Sequence, residues 1–234
     1  VIKITNLTKD YGPHIGNFCI NLSIQEGKTY GIVGPNGAGK TTLIRQLLGF
    51  IKPTSGDIHI SGIEPWKKRE EIMQFTGYIA GEISLYDNLT GLDYLKLVSK
   101  LKKETEWSFV ETLLKHFELD ASRKIKKMSK GMKQKIAIIA AVMNKPRFLV
   151  LDEPTSGLDP VMQDRFNELI NKLRKENHTT IIICSHIFEE VIKLSDYIGF
   201  IKAGELIEEY EVIDKDVDKL HEKFKTIFAT ESVL

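Results

Sequence analysis

The chain has 234 residues, 42% hydrophobic and 28% charged, with a formal net charge of +1. This is the composition of an ordinary globular protein with room for one sizeable core and an attached subdomain. Near-neutrality supplies no overall field toward nucleic acid or an anionic membrane, which argues against nucleic acid as a partner.

Residues 2–8 and 18–24 alternate apolar and polar, as half-buried strands do. The turn Tyr11-Gly12-Pro13-His14 lies between them. The first five residues read as a strand and not as a signal peptide, and the absent start Met points to trimming or a recombinant origin. A short apolar strand at 29–33 runs into a Gly-rich loop, and 42–49 reads as the helix after it. A turn at 53–57 feeds a strand at 58–61, and 76–79 is a further strand.

From 89 to 127 the periodicity turns helical. Leu92, Leu95 and Leu97 belong to one expected helix; Phe109, Leu113, Leu114 and Phe117 form the apolar face of another. The α/β pattern then resumes, with a helix at 129–143, a buried strand at 147–151 and an amphipathic helix at 160–175 that starts on Pro160. The β-branched run 179–184 has the character of a central parallel strand. A hairpin follows at 197–202 and 205–209 around Ala203-Gly204, then a charged amphipathic tail helix at 215–227.

Cys19 and Cys184 both sit in apolar strand-like stretches and read as buried free thiols, which fits a reducing, cytoplasmic compartment. The basic runs 66–69 and 123–127 read as solvated helix ends or loops. The longest apolar segments, 136–143 and 181–184, fall far short of the roughly 20 residues a membrane-spanning helix needs. Any membrane-embedded part is therefore expected from another chain.

Gly34-Pro35-Asn36-Gly37-Ala38-Gly39-Lys40-Thr41 matches the phosphate-loop pattern G-x-x-x-x-G-K-[ST] at every fixed position, with a strand before it and a helix, opening near Thr42, after it. Glycines let backbone N–H groups turn around phosphates, and the helix start adds its positive end. Lys40 is placed to pair with the β- and γ-phosphates of ATP and Thr41 to ligate Mg²⁺. The apolar strand 148–151 ends in Asp152-Glu153, at the sheet edge where ligands bind in α/β folds. Asp152 can hold Mg²⁺ through water, and Glu153 can orient or deprotonate the attacking water.

Ser129-Lys130-Gly131-Met132 opens a helix and by itself is an ordinary N-cap. His186 follows the strand 181–185 at the same expected sheet edge as Asp152. His14, His59, His116, His178 and His221 have no such context. Tyr11 suits stacking on an adenine ring or packing on the core equally well.

The order Tyr11, Gly34–Thr41, Ser129–Met132, Asp152-Glu153, Ser156-Gly157-Leu158-Asp159, His186 resembles the nucleotide-binding subunit of an ABC transporter, over the chain to about Tyr210. The resemblance implies a phosphate-loop ATPase core with a mainly parallel sheet, an N-terminal antiparallel β-subdomain and an inserted α-helical subdomain. The ATPase domain would span 1–210, with the helical subdomain at about 83–145 and a helical tail at 211–234. It implies a head-to-tail dimer around two ATP, each held by one subunit's phosphate loop, with Thr42, and by the other's signature segment. Ser129 and Gly131, with Lys130 and Met132 beside them, then become contacts to the partner's γ-phosphate. Asp159 faces the dimer interface, Tyr11 stacks on adenine, and His186 contacts the γ-phosphate and helps to hold Glu153.

Two departures from the family pattern stand out. Met128-Ser129-Lys130-Gly131-Met132 replaces Leu-Ser-Gly-Gly-Gln, a variant similar to drug, bacteriocin or peptide exporters whose ABC-2-type permease is a separate chain. The Gln that normally ligates Mg²⁺ and senses the permease falls at Gly81; either Glu82 is the substitute ligand or that ligand is absent. The face at 82–93 is expected to dock a cytoplasmic helix of the permease, which would hold the subunit on the inner face of the cell membrane. The second subunit would be an identical or a related chain. A ribosome-acting or repair ATPase and a metabolic kinase are the competing readings; the first usually carries paired domains or coiled coils, and the second leaves Asp152-Glu153, the signature and His186 unexplained.

Overall fold

The computed structural model describes residues 2–102, 105–185, 188–213 and 217–228. The chain divides into two compact units, one made of residues 1–72 and 182–234 and the other of residues 73–181.

In the first unit, β1 (Ile2–Asp10) pairs antiparallel with β2 (Gly16–Ile24). The buried strand β3 (Thr29–Val33) leads through the Gly-rich loop to α1 (Lys40–Leu47). Next, β4 (Ser55–Ile60) joins the other edge of β1, giving an antiparallel sheet in the order β2-β1-β4. Alternation buries Ile2, Ile4, Leu22, Ile24, Ile58 and Ile60 and leaves the other face wet. The helix α2 (Arg69–Phe75) crosses into the second unit.

There β5 (Thr76–Ile79) pairs in parallel with a later strand, β6 (Phe148–Asp152), in the register Ile79 to Leu151. Between them come α3 (Gly91–Leu101), α4 (Trp107–His116), a short 3₁₀ turn at Ile125–Lys127 and α5 (Lys130–Val142). The end of α5 is apolar on nearly every side, with Ile136, Ile138, Ile139 and Val142 fully buried, as a helix covering a sheet must be. After β6, α6 (Pro160–Asn177) starts on a proline and ends on His178 in the left-handed conformation. His116 and Arg165 latch α4 to α6: the Arg165 Nη1 donates to the His116 carbonyl at 2.6 Å, and His116 Nε2 lies 2.9 Å from the Arg165 carbonyl.

The buried strand β7 (Thr180–Cys184) follows and leads back into the first unit. There α7 (Phe188–Leu194) packs on β3. β8 (Tyr197–Lys202) pairs in parallel with β3 and antiparallel with β9 (Glu205–Glu211). The hairpin turn has positive φ at both Ala203 (49°) and Gly204 (83°), the backbone that matches strand twist. The tail helix α8 (Val217–Phe228) packs on α7 through Leu220 and a ladder of rings, Phe188, Phe224 and Phe228.

Two expectations need correction, for Cys19 and for the apolar face of α4. Cys19 is exposed, not buried. Ile20, Leu22 and Ile24 point inward, so Cys19 faces solvent, at a bulge where its own φ is 49°. Leu92, Leu95 and Leu97 do share one helix, α3, with Leu95 on its buried face and Leu97, about 200° further round, 39% exposed. In α4 the fully buried residues are Val110 and Leu113, so the face is shifted by one position from Phe109, which is half-buried. Two seven-residue helices, α2 and α7, have no counterpart in the pattern read from sequence.

Lys102 follows α3, and its ammonium donates to the carbonyls of Met73 and Thr76 at 2.6 Å each. Burial pushes it down from 10.5 to about 8. Between those values the unfolded chain holds a proton the folded chain has released, so stability rises with pH across that window. Lys102→Met removes this increment, and urea midpoints from about pH 8 to about 10.5 are expected to rise less in the variant than in the parent. A second prediction follows from the thiols: Cys19 reacts with Ellman's reagent in the native protein, and Cys184 reacts only after denaturation.

Candidate nucleotide site

The phosphate loop belongs to the first unit. Its exposed tip is Pro35, Asn36 and Gly37, and Ala38 is buried beneath. Gly39 precedes α1 with φ 102°, and a Cβ there would stand 2.6 Å from Asn17 Nδ2 and 2.8 Å from the Gly16 carbonyl, so only glycine fits. A chain of buried amides braces the loop from below. Gln46 Nε2 donates to Asn17 Oδ1 at 3.0 Å, and Asn17 Nδ2 donates to the Gly39 carbonyl at 3.1 Å. The β8–β9 turn adds a second brace, with the Gly204 N–H donating to the Ala38 carbonyl at 3.0 Å.

The start of α1 has no side-chain cap and no acid in its first turn. Its positive end is therefore left for an anion. The Lys40 ammonium donates to the loop's own carbonyls, Gly34 at 2.7 Å and Pro35 at 2.9 Å. Thr41 is exposed and Thr42 half-buried on the first turn. Tyr11 is 52% exposed, which rules out core packing; its ring carries the Lys9 ammonium 5.1 Å from the centroid.

The second unit holds the carboxylates and the signature segment. Asp152 ends β6 at 9% exposure. Glu153 has φ 50°, a left-handed backbone that costs a non-glycine residue about 1–2 kcal/mol. It opens a tight turn, with the Ser156 N–H donating to the Glu153 carbonyl at 3.2 Å. Asp159 then caps α6, accepting from the Met162 N–H at 3.0 Å. Beyond β5, a Cβ on Gly81 would meet Asp152 and nothing nearer, at 3.4 Å from both Cγ and Oδ2. Glu82 beside it is exposed.

Ser129 caps α5 by accepting from the Met132 N–H at 3.2 Å. The first turn of α5 has no acid, and Lys130 stands at its first position. Gly131 lies so close to the Gly157 carbonyl that a Cβ would come within 2.8 Å of it. Lys130 Nζ donates to Ser156 Oγ at 2.9 Å, and buried Gln134 Nε2 donates to the Pro154 carbonyl at 2.5 Å. The signature segment and the turn after Glu153 are thus one assembly. His186 lies outside the described residues; Ser185 before it and Phe188 after it are buried.

Asn17, Gln46 and Gln134 take part in the site's support and belong to no motif; Ser156, within the segment 156–159 already read from sequence, takes part as well. The donor set suits Mg²⁺, which takes hard oxygen ligands, few of them from protein and the rest from phosphate and water. The Asp152 carboxylate in the second unit and the exposed Thr41 hydroxyl in the first are each, taken singly, donors of that kind. Among the described residues no group of three or more His, Cys, Asp and Glu forms a cage of its own for a metal.

A glycine loop at an acid-free helix start and a buried strand ending in Asp-Glu define a phosphate-loop ATPase. The family model for ABC transporters matches residues 19–156, and the chain belongs to that family. It is 41% identical over 211 residues to the bacitracin transport ATP-binding protein BcrA of Bacillus licheniformis, covering 89% of this chain and 69% of that one. It is 40% identical to the lantibiotic transport ATP-binding protein SrtF of Streptococcus pyogenes, covering 90% and 91%. Among solved structures it resembles an ATP-binding subunit of an ABC transporter (TM-score 0.84, 25% identity, covering 96% of this chain and 93% of that one). It also resembles a dimeric ATP-binding cassette in a post-hydrolysis state with ADP and Pi (TM-score 0.80, 26% identity, covering 91% and 99%). The chain is an ATP-binding, ATP-hydrolysing subunit of this family. No described helix is long and apolar enough to cross a membrane.

Asn17→Leu removes the brace under Gly39 and strands the Gln46 amide. Its loss is expected to weaken ATP binding about tenfold, consistent with the roughly 1–3 kcal/mol cost of an unsatisfied buried polar group. A titration with a fluorescent ATP analogue measures it; unchanged affinity would mean the loop is held without Asn17.

Proposed function

We propose that this subunit powers export of a peptide antibiotic through a separate membrane permease, working as a head-to-tail pair with a second ATPase subunit. The cargo class is suggested by the bacitracin and lantibiotic transport relatives. One observation carries the paired site. Both α1 and α5 begin with a lysine, Lys40 and Lys130, and neither has an acid in its first turn. A lysine there opposes the helix macrodipole by about 0.3–1 kcal/mol. Two such poles, one in each unit, fit two faces of one polyphosphate, the second pole being supplied by the partner subunit.

In this reading ATP lies along the loop Gly34–Thr42, with Tyr11 against the adenine. Lys40 exchanges the Gly34 and Pro35 carbonyls for β- and γ-phosphate oxygens, a stronger charge-assisted pairing. Thr41 and Asp152, with Glu82 near them, would hold Mg²⁺, which when bound would offset phosphate charge during phosphoryl transfer. Glu153 orients the attacking water and takes its proton. His186 contacts the γ-phosphate. From the partner, Ser129, Lys130, Gly131 and Met132 close over the same phosphate, and Asp159 lies at the interface. The ATPase domain is assigned to 1–210, its helical insert to about 83–145 and the tail to 211–234.

The permease is assigned to the face at 82–93. Support comes from a cavity of about 230 Å³ in the second unit, lined by Tyr78, Ile83, Leu85, Tyr94 and Val98. Tyr86 stands 65% exposed beside it. An amphipathic helix in an apolar groove is a common recognition mode, and it would place the subunit on the cytoplasmic side of the membrane.

Glu153→Gln is expected to trap an ATP-bound dimer in saturating ATP and Mg²⁺, seen by size-exclusion light scattering. A monomer under those conditions, with or without permease, would sink the paired mechanism. Lys40→Ala should lower turnover by about 10²–10³-fold with the fold intact by circular dichroism; unchanged turnover contradicts the site.

A further inference from the structure

Residue 81 has no side chain where one would face the metal-binding carboxylate. A Cβ there would lie 3.4 Å from Asp152 Cγ and Oδ2 and 3.7 Å from Oδ1, and these are the nearest atoms it would meet. The direction is therefore set: a side chain at 81 leaves the backbone beside Asp152. At that distance a side chain is accommodated in ordinary van der Waals contact. Glycine at 81 is accordingly not forced by crowding, and its φ lies outside the left-handed range. Neither space nor backbone strain accounts for it.

Mg²⁺ keeps near-ideal octahedral geometry, gives up water reluctantly and readily completes its shell with solvent. Gly81 places no donor atom beside Asp152, and the loop that carries it is exposed through Glu82. Glu82 is the next residue, but the side-chain direction aimed at Asp152 belongs to residue 81.

We infer that Gly81 gives the Mg²⁺·ATP site a solvent ligand in place of a protein ligand, and that Glu82 acts on that water from outside the metal's first coordination shell. The inference rests on the proposed roles of Asp152 and bound Mg²⁺. The nucleotide-side metal and the permease-facing loop at 82–93 are then linked through a water molecule and not through a metal–side-chain bond. Metal occupancy becomes less dependent on whether that loop is docked, and metal exchange is faster than in a site with an amide at residue 81.

The test uses Mn²⁺ as the spectroscopic probe on the full chain carrying Glu153→Gln, with ATP. Water molecules bound to Mn²⁺ are counted by EPR line broadening in ¹⁷O-enriched water. Gly81→Gln is expected to lose one metal-bound water relative to Gly81 and to bind Mn²⁺ about tenfold tighter, the size of effect that ligand-shell changes produce. Gly81→Ala, which adds the Cβ without a donor, keeps the water. Glu82→Gln leaves the water count unchanged. Equal counts for Gly81 and Gly81→Gln would overturn the inference, as would a water gained in Glu82→Gln, which would make Glu82 a direct ligand. If no Mn²⁺·ATP complex forms on the parent chain, the assignment of Asp152 and Mg²⁺ fails with it, and that result is distinct from a complex whose water count does not move.

Discussion

Helix starts are charged objects, and among the described helices α1 and α5 open on a lysine with no acid in the first turn. The first turns of α2, α3 and α7 carry acids, Glu70 and Glu71, Asp93, and Glu189 and Glu190. Those acids offset the positive end of each helix. The starts of α1 and α5 do the reverse and place a lysine there. The protein gives up a little stability at both, which phosphate would restore in the proposed site. Each remaining part of the site can be understood as holding one of these poles in position.

The support differs between the poles because their surroundings differ. Under α1 the brace is a buried amide pair, Gln46 to Asn17, which fixes the Gly39 carbonyl without blocking the N–H groups above. At α5 the cap is Ser129, and the brace is the turn after Glu153, reached by Lys130 and Gln134. A movement of the signature segment is therefore felt at Glu153 through a few hydrogen bonds and a glycine contact. Glu153, the proposed base, sits on a left-handed backbone, a strain maintained by the turn that ends in the Asp159 cap.

The strands and the phosphate loop were legible in the sequence because their signals are local. Apolar alternation gives β1 and β2, a continuous apolar run gives β6 and β7, and eight consecutive residues spell the loop. Supports formed between distant positions were not legible. Asn17 and Gly39 are 22 residues apart, and Gln134 and Pro154 are 20 apart. Nothing in a lone amide announces its partner. Cys19 misleads because a residue in an apolar segment faces water when a bulge turns it outward. The short helices α2 and α7 span just under two turns each, too few to establish a repeating apolar face. Gly81 was visible as a departure, but its meaning needed the contact with Asp152.

The central claim is that each ATP is held by the phosphate loop of one subunit and the signature segment of another. Mixing two defective chains tests it most directly. One chain carries Lys40→Ala, the other Gly131→Asp, both with Glu153→Gln. Neither homodimer can build a working site, but a mixed dimer has one intact site assembled from the good loop of one chain and the good signature of the other. The account predicts that mixing the two yields dimers retaining one ATP each, where either chain alone retains none. If the mixture traps no more ATP than the separate chains, loop and signature act within one subunit and the paired site is wrong.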